Sequence, residues 1–126
     1  MKELQRYMKT YHEELNWEIS GNHYEETKSS LLHNYMLFST EVAEVAEELR
    51  KAFNQTNKWI NQGKSEAEAF EIAKANIKED IGKELADCLA YMTKFANYFE
   101  IDMEDAFYKK MEEVKQRQNK DVGISR

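Results

Sequence analysis

Not one proline occurs in this chain, and glycine occurs only four times in 126 residues. That scarcity constrains the fold more than any other feature, because sandwiches and barrels need turn residues between many short strands. An all-helical bundle is what such a chain can build, and the hydrophobic spacing agrees. Residues 2 to 16 place Leu4, Tyr7, Met8, Tyr11 and Leu15 at three- and four-residue steps, which predicts a first amphipathic helix. Ser20-Gly21-Asn22-His23 breaks it. Thr27 to Ser30 can cap a second helix over 29 to 54, with Tyr35, Phe38, Val42, Val45, Leu49 and Phe53 as its seam. Gln55 to Gly63, beside Asn54 and with Asn57 and Asn61 inside it, reads as a connection. Ser65-Glu66-Ala67-Glu68 matches a capping box and opens an alanine-rich third helix to about residue 76. A fourth, over 77 to 99 and separate from the third or continuous with it, carries Ile81, Leu85, Cys88, Leu89, Met92, Phe95, Ala96 and Phe99. Asp102 caps a last helix through Met103, Phe107, Met111 and Val114, ending near Gln118, and 119 to 126 read as a frayed tail. The expectation is one domain over 1–118, a bundle of four to five helices.

A domain this short buries a modest core by itself, so the long seams predict that oligomerisation completes it. No run of about 18 apolar residues is present and the first fifteen residues are too polar for a signal peptide, so a soluble, cytoplasmic protein without membrane partners is expected. Cys88 is the only cysteine and lies among apolar residues, which predicts a packed thiol rather than a nucleophile. With 24 acids against 18 bases and a net charge of −6, the chain has no electrostatic footprint for nucleic acid. Polyphosphate ligands stay open, because bound divalent cations invert the local field.

The acids are patterned. Glu41, Glu44 and Glu48 stand at i, i+3 and i+7 and share one helical stripe, and Glu84 and Asp87 repeat the spacing, with Asp80 one turn earlier. Each set sits one position before an apolar seam, at the border of a buried face. An i, i+3 glutamate pair alone is common on solvated helices; two matched stripes beside equally long seams are not. Crowded carboxylates at such a border repel one another and lose hydration unless a cation joins them. Hard oxygen donors favour Mg²⁺, with Mn²⁺ as a substitute, over zinc, and His12, His23 and His33 show no ligand spacing.

Glu41-Val-Ala-Glu44-Val-Ala-Glu47-Glu48-Leu and Lys83-Glu84-Leu-Ala-Asp87-Cys-Leu-Ala-Tyr91 resemble the paired ExxE and ExxD motifs of the MazG-like all-α nucleoside triphosphate pyrophosphohydrolases. Glu100-Ile-Asp102-Met-Glu-Asp-Ala106 with Lys109-Lys-Met111 and Arg117 is similar to the family's next helix, so the likeness covers about residues 28 to 118. The chain departs from the pattern at Thr40, at Val114 and in the long segment 45–83. The resemblance implies cleavage of a (d)NTP between the α and β phosphates, giving (d)NMP and pyrophosphate in nucleotide-pool housekeeping. It implies a metal site of Glu41, Glu44, Glu84 and Asp87, with Glu44 or Glu48 as general base. Lys110 and Arg117 are candidates for the outer phosphates, and Tyr91, Trp59 and Phe53 for the base. It also implies a homodimer or a homotetramer built as a dimer of dimers. Two rival readings are the same fold acting on phosphoribosyl-ATP or another modified nucleotide, and a non-enzymatic helical oligomer or partner-binding module.

Overall fold

The computed structural model describes the backbone of residues 1–122 and the side chains of 1–117. Its elements are four helices: α1 (Lys2–Leu15), α2 (Tyr24–Asn61), α3 (Glu66–Tyr98) and α4 (Met103–Val122), with no strand among the described residues. The chain divides into two compact units, a hairpin unit over 20–92 and a terminal unit made of 1–19 with 93 onward. Among the described residues no helix is long and apolar enough to cross a membrane.

In the hairpin unit α2 begins at Tyr24, ahead of the expected start near 29, and runs through the asparagine-rich stretch to Asn61. Its start is held by Glu26, whose carboxylate accepts the Asn22 N–H at 3.0 Å, rather than by a cap from Thr27 to Ser30. Of the expected connection at 55–63, residues 55–61 are instead helix, because tertiary partners outweigh the weak propensity of asparagine. Asn76 donates to Gln55 across the two helices at 3.3 Å, Thr56 bonds the Ala52 carbonyl, and half-buried Trp59 and Ile60 prolong the apolar seam.

The true connection is short. Gly63, at φ 100, gives its N–H to Ile60, and Lys64 gives its own to Trp59, so the last carbonyls of α2 are satisfied in a left-handed turn that glycine adopts without strain. Ser65 caps α3 by accepting the Glu68 N–H at 3.2 Å; the Glu68 carboxylate pairs with Lys64 at 3.6 Å. The third and fourth expected helices are one unbroken α3 of 33 residues. Ala52, Ala73 and Ile77 form the buried cluster, with Ile81 against it. Small side chains there let the two helices approach closely, and Gln55–Asn76 and Lys51–Asp80 fix them as antiparallel.

The terminal unit is closed by a polar side chain. Gln5 donates to the Ile101 carbonyl at 2.8 Å and to Asn97 Oδ1 at 3.3 Å, while its Oε1 accepts the Met103 N–H at 2.8 Å. Asn97 returns a bond to the Gln5 carbonyl at 3.0 Å. One amide thus replaces the backbone partners missing at the corner from α3 to α4. Asp102 caps α4 as expected, accepting the Asp105 N–H at 3.2 Å. The buried positions of α1 are Gln5 and His12, whereas Leu4, Tyr7, Tyr11 and Leu15, the expected inward face, are exposed. The reason is that hydrogen-bond demand at the α3–α4 corner, not hydrophobicity, sets the rotation of α1. Helix α4 continues past Gln118 to Val122, and the remaining part of the expected frayed tail, 123–126, lies outside the described residues.

Candidate metal centre

Two long antiparallel helices convert the sequence stripes into a cluster. One carboxylate oxygen each from Glu41 on α2 and from Glu84 and Asp87 on α3 lie within 4.8 Å of one another; Glu41 and Glu84 are half-buried and Asp87 is exposed. Loss of hydration, then the charges of Asp87, Glu84 and Glu44 and a hydrogen bond with Asp87, push Glu41 above the usual carboxylate pKa. Glu84 is likewise raised by loss of hydration, then by Glu44, Asp87, Glu48 and Asp80. A cluster of this kind is electrostatically incomplete. Mg²⁺ takes hard oxygen ligands and is commonly held by a few carboxylates, so this donor set suits such an ion and offers nothing soft for zinc.

The other expected site residues fall into three groups. Glu44 is exposed and acts on both Glu41 and Glu84, but its oxygens are outside the converging trio. Glu48 is buried, and its Oε2 meets the Lys51 ammonium at 2.8 Å, which also reaches Asp80 at 3.7 Å. Short polar contact with Glu48 holds Lys51 above its ordinary pKa, so the ammonium stays charged. Tyr91 lies beside the cluster: burial, then Glu41 and Asp87, raise its phenol, which therefore remains a protonated donor. Trp59 is 15 residues beyond Glu44 on α2, about 22 Å along the axis, and its ring meets Lys64 Nζ at 5.5 Å instead. Phe53 lines an apolar groove of about 610 Å³ with Leu49, Phe70, Ile77 and Ile81. Lys110 and Arg117 belong to the terminal unit, where both pair with Glu113, at 3.6 and 3.5 Å.

Cys88 is a half-buried thiol whose pKa is raised by burial, then by Glu41, Asp87 and Glu84, in keeping with a packing role. Thr40 bonds the Met36 carbonyl at 3.1 Å and so adds a helix contact, not a charge, just ahead of Glu41. Lys51 is the residue that sequence reading missed. Its i+3 spacing from Glu48 is visible along the chain, but the Asp80 contact depends on the register of α2 against α3.

The family model for the MazG nucleotide pyrophosphohydrolase domain matches residues 28–122. The chain is a MazG-family protein. Both halves of the carboxylate cluster, on α2 and α3, fall inside the matched segment, as does the whole of α4. No curated protein and no solved structure matches the chain. The MazG family is one of divalent-metal-dependent nucleotide pyrophosphohydrolases, and a MazG enzyme binds a nucleotide.

Proposed function

We propose that this MazG protein is a Mg²⁺-dependent nucleoside triphosphate pyrophosphohydrolase that cleaves (d)NTP between the α and β phosphates and serves in clearing the nucleotide pool. The observation that carries this is the convergence of Glu41, Glu84 and Asp87, two of them held above their usual pKa by loss of hydration and then by the neighbouring carboxylates. These three, with Glu44 at the rim, would hold the ion. When bound, Mg²⁺ or Mn²⁺ supplies charge neutralisation at the phosphates and a more acidic water. Glu44 is the proposed acceptor of that water's proton: it is exposed beside Glu41 and Glu84, whereas Glu48 is committed to Lys51. Tyr91, on α3 beside the cluster, is proposed to contact the bound nucleotide.

Apolar faces left open on the hairpin unit support a homodimer or homotetramer. Val42, Leu49, Phe53 and Leu85 are 50%, 41%, 55% and 53% exposed, apolar side chains that a second copy of the chain would cover. Light scattering on the purified chain checks this.

The deciding experiment offers a panel of unmodified and modified (d)NTPs, with phosphoribosyl-ATP, in Mg²⁺ and follows pyrophosphate and monophosphate. Pyrophosphate in equal amount to monophosphate is expected. A Glu41→Gln, Glu84→Gln double variant should lose turnover by on the order of a hundredfold or more. Equal background rates for wild type and double variant across the panel would end the enzymatic reading.

A further inference from the structure

The turn half of the hairpin unit carries a groove that its own side chains do not fill. Leu49, Ala52 and Phe53 of α2 and Phe70, Ile77 and Ile81 of α3 make its apolar floor and walls, about 610 Å³ in volume, in the long segment between the two carboxylate motifs. Leu49, Phe53 and Phe70 remain exposed there. The charged lip lies on one stripe of α3. Glu71, Lys74, Ala75 and Lys78 line it, with Glu71 and Lys78 at i and i+7, about 10.5 Å apart along the axis. Glu71 and Lys74 are exposed and pair at 3.9 Å, a contact of little worth in water. Lys78 is exposed and forms no ion pair among the described residues.

An occupant of this groove must cover the apolar walls and answer an acid and a base two turns apart. Positions 71 and 78 are equidistant from the point between Lys74 and Ala75, and they carry opposite charge. A two-fold axis through that point, perpendicular to α3, exchanges them, which is the condition for a self-complementary contact. We infer that the groove is covered by a second copy of this chain, with the two α3 helices antiparallel, Glu71 of each copy against Lys78 of the other, and Ala75 beside the axis. This rests on the homo-oligomer reading above and names the surface that reading needs. Ala75 lets the helices approach at the axis, while Phe53 and Phe70 of each copy supply the apolar area around it. Glu71 then stands between Lys74 of its own chain and Lys78 of the other, where excluded water strengthens both contacts. An uncharged apolar ligand would leave Glu71 and Lys78 unanswered, and an unrelated protein has no cause to match charges that invert about one point.

The test is a charge swap on the full chain, read by analytical ultracentrifugation over a range of concentrations. Glu71→Lys should weaken self-association by about tenfold or more, because it sets cation against cation and the two-fold repeats the contact; Lys78→Glu should weaken it as much. The double variant Glu71→Lys, Lys78→Glu should return association to near the wild-type value. Both positions are exposed, so helix content by circular dichroism should stay that of wild type in all three. A wild type that is monomeric at every concentration overturns this inference together with the homo-oligomer reading, and leaves the groove to another occupant. An oligomer that either single variant leaves intact, or that the double variant fails to restore, overturns this inference alone and moves the interface to another apolar face.

Discussion

The terminal unit closes its α3–α4 corner from within, through Gln5 bridging Asn97, Ile101 and Met103, whereas the hairpin unit gathers the like charges of Glu41, Glu84 and Asp87 at one point. One region is tied by hydrogen bonds between neutral groups, and the other brings like charges together. The same contrast holds for apolar surface. Alanines and Ile77 close the centre of the hairpin unit, while Leu49, Phe53 and Leu85 on its helices face outward. Stability and function are thereby separated: the unit with the unresolved charges is the one with the candidate chemistry.

The contrast is broken most directly at the cluster. In Glu41→Gln, Glu84→Gln, pyrophosphate release should fall by on the order of a hundredfold or more. The metal-free variant should nevertheless melt above metal-free wild type, because like charges have been removed. Wild type should gain about 2.7 kcal/mol at Mg²⁺ a hundred times its dissociation constant, and the variant little. A variant that responds to Mg²⁺ as wild type does would place the ion elsewhere.

The terminal unit should fail in the opposite manner. Gln5→Ala strands the Met103 N–H and the Ile101 carbonyl and should destabilise the chain by about 2–4 kcal/mol in denaturant titration, equally with and without Mg²⁺. A loss that Mg²⁺ repairs would show that the clasp is not independent of the site.

Acidity should push the two units in opposite directions. His12 is lowered from 6.5 by burial, then by Lys94, so its folded form resists protonation. Its contribution is full above pH 6.5 and is lost as pH falls through the lowered folded value. Glu41 and Glu84 are raised, so without metal their contribution is full below the usual carboxylate pKa and is lost as pH rises through the raised values. Hydrogen exchange on metal-free protein, as pH drops from neutral, should show α1 loosening and the middle of α2 tightening. Movement of both in one direction would contradict these assignments. The smallest effect concerns Gly82 inside α3, where an added Cβ meets nothing within 4 Å. Gly82→Ala should stabilise by about 0.5–1 kcal/mol. No gain would mean that a second chain occupies that space.

Much of this was legible along the chain, and the exceptions share a cause. Glu41, Glu84 and Asp87 were readable because a helix converts spacing directly into direction, and two seams of equal length imply antiparallel partners. Asp102 and Ser65 were readable because a cap needs only its own next turn. Three features needed distant partners: the helical state of Asn54 to Asn61, the inward face of α1, and the pairing of Lys51 with Asp80. Each is decided by which residue meets it from another helix. Glu44 and Glu48 were equivalent as spacing and differ in burial and in the Lys51 contact.

The tight turn at Gly63 also orders events in time. Gln55 and Asn76, nearest that turn, are 21 residues apart in the chain, while Glu41 and Asp87 are 46 apart and Gln5 and Asn97 are 92 apart. Loop-closure entropy grows with that separation, so the hairpin should zip from Gly63 outward. Mutual repulsion among the carboxylates is then met only after most of the hairpin has already formed, and a cation present at that moment accelerates the last stage of folding rather than the first.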